Sequence, residues 1–157
     1  MQNYIKTNFD LPYRIGVKLN DNNYFLSSHR FYEFENAFPN KTIIMFHNKL
    51  LEGQKWKIIQ KYNGLYYISY QDNYDNMKNW NLHFDIDSEK IYLSQNKKSL
   101  FKFEKIDKNR FYIKDALYGY YLNLCMDDKR DINSFYSIMT NEVNPNFNNI
   151  FFLIHIL

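Results

Sequence analysis

The chain has a single cysteine, Cys125, in 157 residues. An intramolecular disulfide framework is therefore excluded, and stability must come from a packed core. Glycine, at 4 residues, and proline, at 3, are scarce, and alanine stands only at Ala37 and Ala116. Glycines so few and so widely spaced exclude a glycine-rich phosphate loop. An excess of charge of one sign is missing too, since 20 Lys+Arg are interspersed with 17 Asp+Glu. No basic stripe for nucleic acid can be assembled from that pattern, and nucleic acid is not among the expected partners. No apolar run approaches the ~20 residues that a bilayer-spanning helix needs. The opening Met1-Gln2-Asn3-Tyr4-Ile5-Lys6 lacks the charged, then apolar, then small-residue order of a secretory signal. The expectation is a soluble protein, either extracellular after release by a route without a classical signal peptide, or cytoplasmic.

What the chain does have is aromatic side chains: 15 Tyr, 14 Phe and 2 Trp, one fifth of all residues. That load excludes intrinsic disorder. Combined with many β-branched residues, abundant Asn and little Ala, it reads as strands joined by polar turns. The length fits one domain with one core, residues 1–157,.

An internal repeat organises the strands. Arg14-Ile15-Gly16-Val17-Lys18 followed by Asn23-Tyr24-Phe25-Leu26 aligns, at a constant offset, with Arg110-Phe111-Tyr112-Ile113-Lys114 followed by Gly119-Tyr120-Tyr121-Leu122. That offset equals two units of about 48 residues, a period that marks a repeat architecture. The middle unit shows at the unit ends, where Gln54-Lys55-Trp56-Lys57-Ile58 matches Ser99-Leu100-Phe101-Lys102-Phe103 and Asn149-Ile150-Phe151-Phe152-Leu153. The units are expected at roughly 11–55, 56–100 and 101–157. Apolar residues alternate within each, as in Ile15/Val17/Leu19, Ile91/Leu93 and Phe111/Ile113, which is strand patterning. About four strands per unit give about twelve in all, of ordinary length. One helical turn is expected near Asn48 to Gln54,. The middle unit carries a long polar loop from Tyr70 to Asn79 and a shortened hairpin from Asp85 to Leu93. Ile150 to Leu157 is expected to be a buried closing strand.

Three units of four strands resemble a β-trefoil, and Gln54-Lys55-Trp56 resembles the Gln-x-Trp signature of its ricin-type lectin branch. Within that branch, Gly53-Gln54-Lys55-Trp56-Lys57, the lack of disulfides and the Asn/Tyr-rich wording are similar to the small haemagglutinin components of clostridial toxin complexes. Phe101 and Phe151 replace the tryptophan in the other units, and all three aromatics are expected in the core.

The resemblance implies one shallow sugar pocket per unit: an acidic or amide residue just after the second strand's apolar residue, an aromatic platform on the following hairpin, and an Asn-Gln pair before the last strand. Hydroxyl pairs need fixed acceptors, and the C–H face of a sugar needs an apolar ring. In the first unit Ser27 replaces the acid and Gln54 remains of the pair, with Phe46 or His47 as platform. Loss of the carboxylate removes charge-assisted hydrogen bonds. The second unit offers Asp85 with Tyr92 and Asn96, although Lys98-Ser99 replaces Asn-Gln. The third offers Asn123, Tyr136, Asn148 and Asn149. A galactose-type glycan is the implied ligand.

Catalytic patterns are weak. His29, His47, His83 and His155 are scattered, and none stands at metal-ligand spacing from Cys125, so neither a metal nor a cofactor is expected. Asp85 with Asp87, and Asp127 with Asp128, are paired carboxylates without a known cleft between them,. Gln71 to Asn76 lacks the ligand spacing and glycine of a calcium loop,. The expected function is non-enzymatic carbohydrate binding of lectin or haemagglutinin type. The alternative is an adaptor subunit of a toxin or haemagglutinin assembly, its sugar sites lost and its surplus aromatics serving as interface anchors.

Overall fold

The computed structural model describes residues 12–28, 41–42, 44–50, 52–70, 80–131, 133–143 and 148–156. The 71–76 stretch considered as a calcium loop lies outside them, as do the side chains of Asp127 and Asp128.

Six strands close a barrel. They are β1 (Tyr13–Leu19), β5 (Trp56–Tyr62), β6 (Leu65–Tyr70), β9 (Phe101–Lys105), β10 (Phe111–Asp115) and β13 (Phe151–His155). Each pairs antiparallel with the next, and β13 returns to β1. No strand of the ring is left with a bare edge, the arrangement that protects a β-protein from edge-to-edge pairing. Three hairpins cap one end: β2 (Asn22–Ser28) with β4 (Ile44–His47), β7 (Asn81–Asp85) with β8 (Lys90–Ser94), and β11 (Tyr121–Asp131) with β12 (Ser134–Thr140). The molecule is a β-trefoil. A further two-residue strand, β3 (Lys41–Thr42), pairs with β8 and ties the first hairpin to the second, so thirteen strands are described where twelve were expected. Each repeating four-strand unit ends with its own barrel strand, at 13–62, 65–105 and 111–155. Cutting the chain before Trp56 and Phe101 instead hands that strand to the following unit.

Local chemistry explains the turns. Asn20 and Asp21 link β1 to β2 with φ of 50° and 67°, and Asn63-Gly64 links β5 to β6 with Gly64 at φ 78°. Two-residue hairpins with positive φ match the right-handed twist of their strands, and Asn, Asp and Gly tolerate that conformation best. Gly16 answers a different need: a Cβ there would come within 2.4 Å of the Phe152 ring lying across it. The helical turn expected before Gln54 is present as a short 3-10 turn, Glu52–Gln54.

Trp56, Phe101 and Phe151 are all fully buried. Around them lie Ile15, Tyr66 and Phe111, one turn of barrel wall from each unit, and above them Leu26, Leu82 and Leu122 from the cap. The closing strand departs from expectation in one respect. Phe151 is enclosed, but Phe152 and Leu153 are only half-buried and Ile154 and His155 are exposed. An antiparallel barrel strand has an outer face as well as an inner one, and a uniformly apolar sequence does not reveal which residues take it.

Candidate functional site

The three units share a polar position beside the cap, buried in the first and third and half-buried in the second. Leu26 pairs across its hairpin with Phe46, Leu82 with Leu93, and Leu122 with Met139. This register makes Ser27, His83 and Asn123 equivalent, each following its leucine. Asp85, expected at this place in the second unit, is two residues further along, and His83 holds the position. Gln54 meets Ser27 and Ser99 meets His83; both stand two residues before the core aromatic, the place that Asn149 holds in the third unit.

In the first unit this pair is closed. Gln54 Nε2 donates to Ser27 Oγ at 3.0 Å and to Lys49 O at 2.7 Å, and its Oε1 accepts from Arg14 Nε at 3.4 Å. Gln54 is fully enclosed, so it fastens the 3-10 turn to β2 and offers nothing to a ligand outside. The third unit is closed as well. Asn123 Nδ2 donates to Tyr121 O and to Thr140 Oγ1, while Asn123 and Asn149 are both buried. Asn123 Oδ1 and Asn149 Nδ2 have no hydrogen-bond partner among the described residues. Asn148 turns its Nδ2 to Met126 Sδ, and its carbonyl takes the Leu124 N–H. Tyr136 is half-buried on β12, opposite Met45 of β4.

The second unit is open. Its hairpin turns tightly between Asp85 and Lys90, too short to cover the polar pair, and an open cleft of about 530 Å³ lies beside it. His83, Asp85, Lys98 and Ser99 line one side, with Tyr67 of β6. The Phe84 N–H donates to Ser99 Oγ at 2.9 Å, and Ser99 Oγ lies 3.2 Å from His83 Nδ1. The Ser99 hydroxyl, with one proton and two lone pairs, can serve either tautomer of that ring,. The Asp85 carboxylate caps its turn, accepting Asp87 N at 3.2 Å and Ser88 Oγ at 3.1 Å. These two bonds orient the group. Lys98 Nζ sits 4.3 Å over the Tyr67 ring. Tyr92 stands behind His83, ring centroids 5.6 Å apart. Burial, and then the negative charge of Asp85, push its phenol above the ordinary tyrosine range. Asn96 is exposed in the adjoining turn, its N–H on Ser94 Oγ.

Of the eight residues expected to bind ligand, the structure brings Asp85 to the cleft, with Tyr92 and Asn96 close by in sequence. It encloses Gln54, Asn123 and Asn149 and leaves Tyr136 and Asn148 on the third unit. His83, Tyr67 and the turn from Asp115 to Tyr118, which forms the opposite wall, were not singled out from sequence. The signal for His83 was present in its place directly after Leu82.

Asp115 lies buried under that wall. Its Oδ2 accepts the Tyr118 N–H at 2.7 Å, but desolvation outweighs the backbone bonds from Tyr118 and Leu117 and raises the carboxyl above its ordinary value. A raised folded-state value means that the folded chain holds the proton more tightly than the unfolded chain. Stability from this group is therefore present at acid pH and lost as pH rises through the folded value. Asp115→Asn keeps an acceptor for Tyr118 without the buried charge. It is expected to raise the melting temperature at pH 7 relative to the parent and to narrow that gain below pH 4, as scanning calorimetry across pH would show. A variant less stable than the parent at pH 7 would contradict this account.

The trefoil is shared with solved structures of unrelated sequence. The designed threefold-symmetric protein ThreeFoil matches with a TM-score of 0.68 over 92% of this chain and 99% of its own, at 10% identity. A Caenorhabditis elegans protein of unknown function matches with a TM-score of 0.64 over 98% of this chain and 97% of its own, at 11% identity. At such identities the likeness shows the fold alone. No protein-family model and no curated protein matches the chain.

Proposed function

We propose that this β-trefoil is a non-enzymatic carbohydrate-binding protein of lectin or haemagglutinin type, with its site in the second unit. The observation that carries the reading is the exposure of one polar pair in three. The Ser27–Gln54 and Asn123–Asn149 positions are sealed, whereas His83 and Ser99 line a cleft with an oriented carboxylate and the part-exposed Tyr118 ring. Fixed acceptors and donors beside an aromatic face are what a sugar's hydroxyls and C–H face require. The resemblance to ricin-type lectins suggests galactose as the first sugar to test.

Asp85→Asn preserves the turn cap while removing the charge. A hydrogen bond to a charged group contributes about 1.5–3 kcal/mol. Glycan affinity, measured by titration calorimetry, is therefore expected to fall about tenfold or more in this variant, and in His83→Ala. Binding unchanged in both would remove the site from this cleft.

The adaptor reading has a separate support. Tyr118, 47% exposed, stands next to Leu117, 77% exposed, and an exposed aromatic beside an apolar neighbour is the kind of group that anchors an interface. Light scattering of the purified chain and pull-down from its native neighbours test that reading. A monomer that binds glycan and retains no protein would set it aside.

A further inference from the structure

The cleft is built from two repeats, and its walls differ in character. One wall, from the second unit, is polar: His83, Asp85 and Ser99. The other is the β10–β11 turn of the third unit, and it ends in Leu117, 77% exposed, and Tyr118, 47% exposed. This apolar rim is held rigidly. Asp115 N–H donates to Tyr120 O at 2.7 Å, Gly119 N–H to Asp115 O at 2.9 Å, and Ala116 N–H to Leu100 O at 2.8 Å. Gly119 supplies the φ of 78° that the turn needs, and the Tyr118 ring meets the buried Phe84 edge-on at 6.2 Å. Nothing in the packing of the barrel requires Leu117, which points its surface to solvent.

Size and charge narrow what fits between these walls. A volume of about 530 Å³ falls in the range of about 300–1,000 Å³ that holds a drug-sized ligand, and a single hexose leaves much of it unfilled. Asp85, Asp87 and Asp115 line the cleft against Lys97 and Lys98, with Lys98 held on Tyr67. An anionic ligand gains little from that balance. We infer that the cleft takes an uncharged glycoside of two rings, the first hydrogen-bonded along His83 and Asp85, the second, sugar or aryl, packed on Leu117 and Tyr118. This rests on the carbohydrate reading above and deepens it.

The test is calorimetric titration of the full chain with matched methyl and phenyl β-glycosides of galactose and glucose, with lactose, and with sialyllactose. The same series is run on the Leu117→Ser/Tyr118→Ser variant, which keeps the Tyr118 N–H that Asp115 accepts; circular dichroism checks its fold. An aromatic contact is worth about a three- to tenfold change in affinity, so the phenyl glycoside and lactose are expected to bind tighter than the methyl glycoside by that factor. The advantage is expected to vanish in the double variant. Equal affinities in the parent, or an advantage that survives the double substitution, would overturn the second ring site while leaving the first intact. Sialyllactose binding tighter than lactose would overturn the uncharged ligand. Silence from every sugar, methyl glycosides included, would bring down the carbohydrate reading and this inference together.

Discussion

Trp56→Ala is expected to leave the chain largely unfolded at 25 °C, while Trp56→Phe stays folded with a lower urea midpoint. Trp56 is fully buried, meets Tyr70 edge-on at 5.5 Å, and donates its indole N–H to Leu26 O at 2.8 Å. Emptying a site of this size costs about 3–5 kcal/mol, and the orphaned carbonyl adds about 1–3 kcal/mol. The sum takes a large part of the 5–15 kcal/mol that is typical of a whole domain. Phenylalanine refills most of the space, as Phe101 and Phe151 do in the other units, and leaves mainly the lost hydrogen bond. A wild-type midpoint for the alanine variant would mean that Trp56 does not hold the barrel to the cap.

That contrast also shows what the sequence could reveal. The barrel was legible because Ile15/Val17 and Phe111/Ile113 repeat at a fixed offset, and the unit ends because the chain must place an aromatic at Trp56, Phe101 and Phe151. Core positions in a symmetric fold share one environment, so composition and spacing survive there. The cap was legible only in part. His83 hid behind Asp85 because Leu82 and Phe84 are both apolar and both buried, and sequence alone does not say which of them pairs like Leu26. The cross-hairpin register decides, and a slip of two residues keeps every side chain on its face. Burial was the second blind spot. Gln54, Asn123 and Asn149 have the chemistry of sugar ligands, yet all three are buried, and Gln54 and Asn123 spend their amides on the chain's own polar groups,. The cleft itself joins Asp85 to Tyr118 across two units, a juxtaposition that only the closed barrel creates.

Removal of residues 151–157 is expected to abolish cooperative folding altogether. β13 pairs with β1 through five consecutive positions, from Tyr13↔His155 to Val17↔Phe151, and with β10 at Phe111↔Phe151. Without it the barrel opens, and β1 and β10 each present a bare edge to solvent and to other chains. The inner faces of Ile15, Val17 and Phe111 lose their cover at the same time, together with the 5.8 Å contact between Phe151 and Phe46 that joins barrel to cap. The vacancy left by Phe151 alone costs about 3–5 kcal/mol, before any ladder hydrogen bond is counted. Because half-buried Phe152 and Leu153 and exposed Ile154 contribute less core than Phe151, the point variant Phe151→Ala is expected to capture much of the loss, with a melting temperature well below the parent. Ile154→Ala is expected to change it little. Far-UV circular dichroism and a thermal melt read all three chains. A truncated chain that still melts cooperatively near the parent temperature would show that the ring does not depend on its last strand, and with that the closed trefoil barrel would fall.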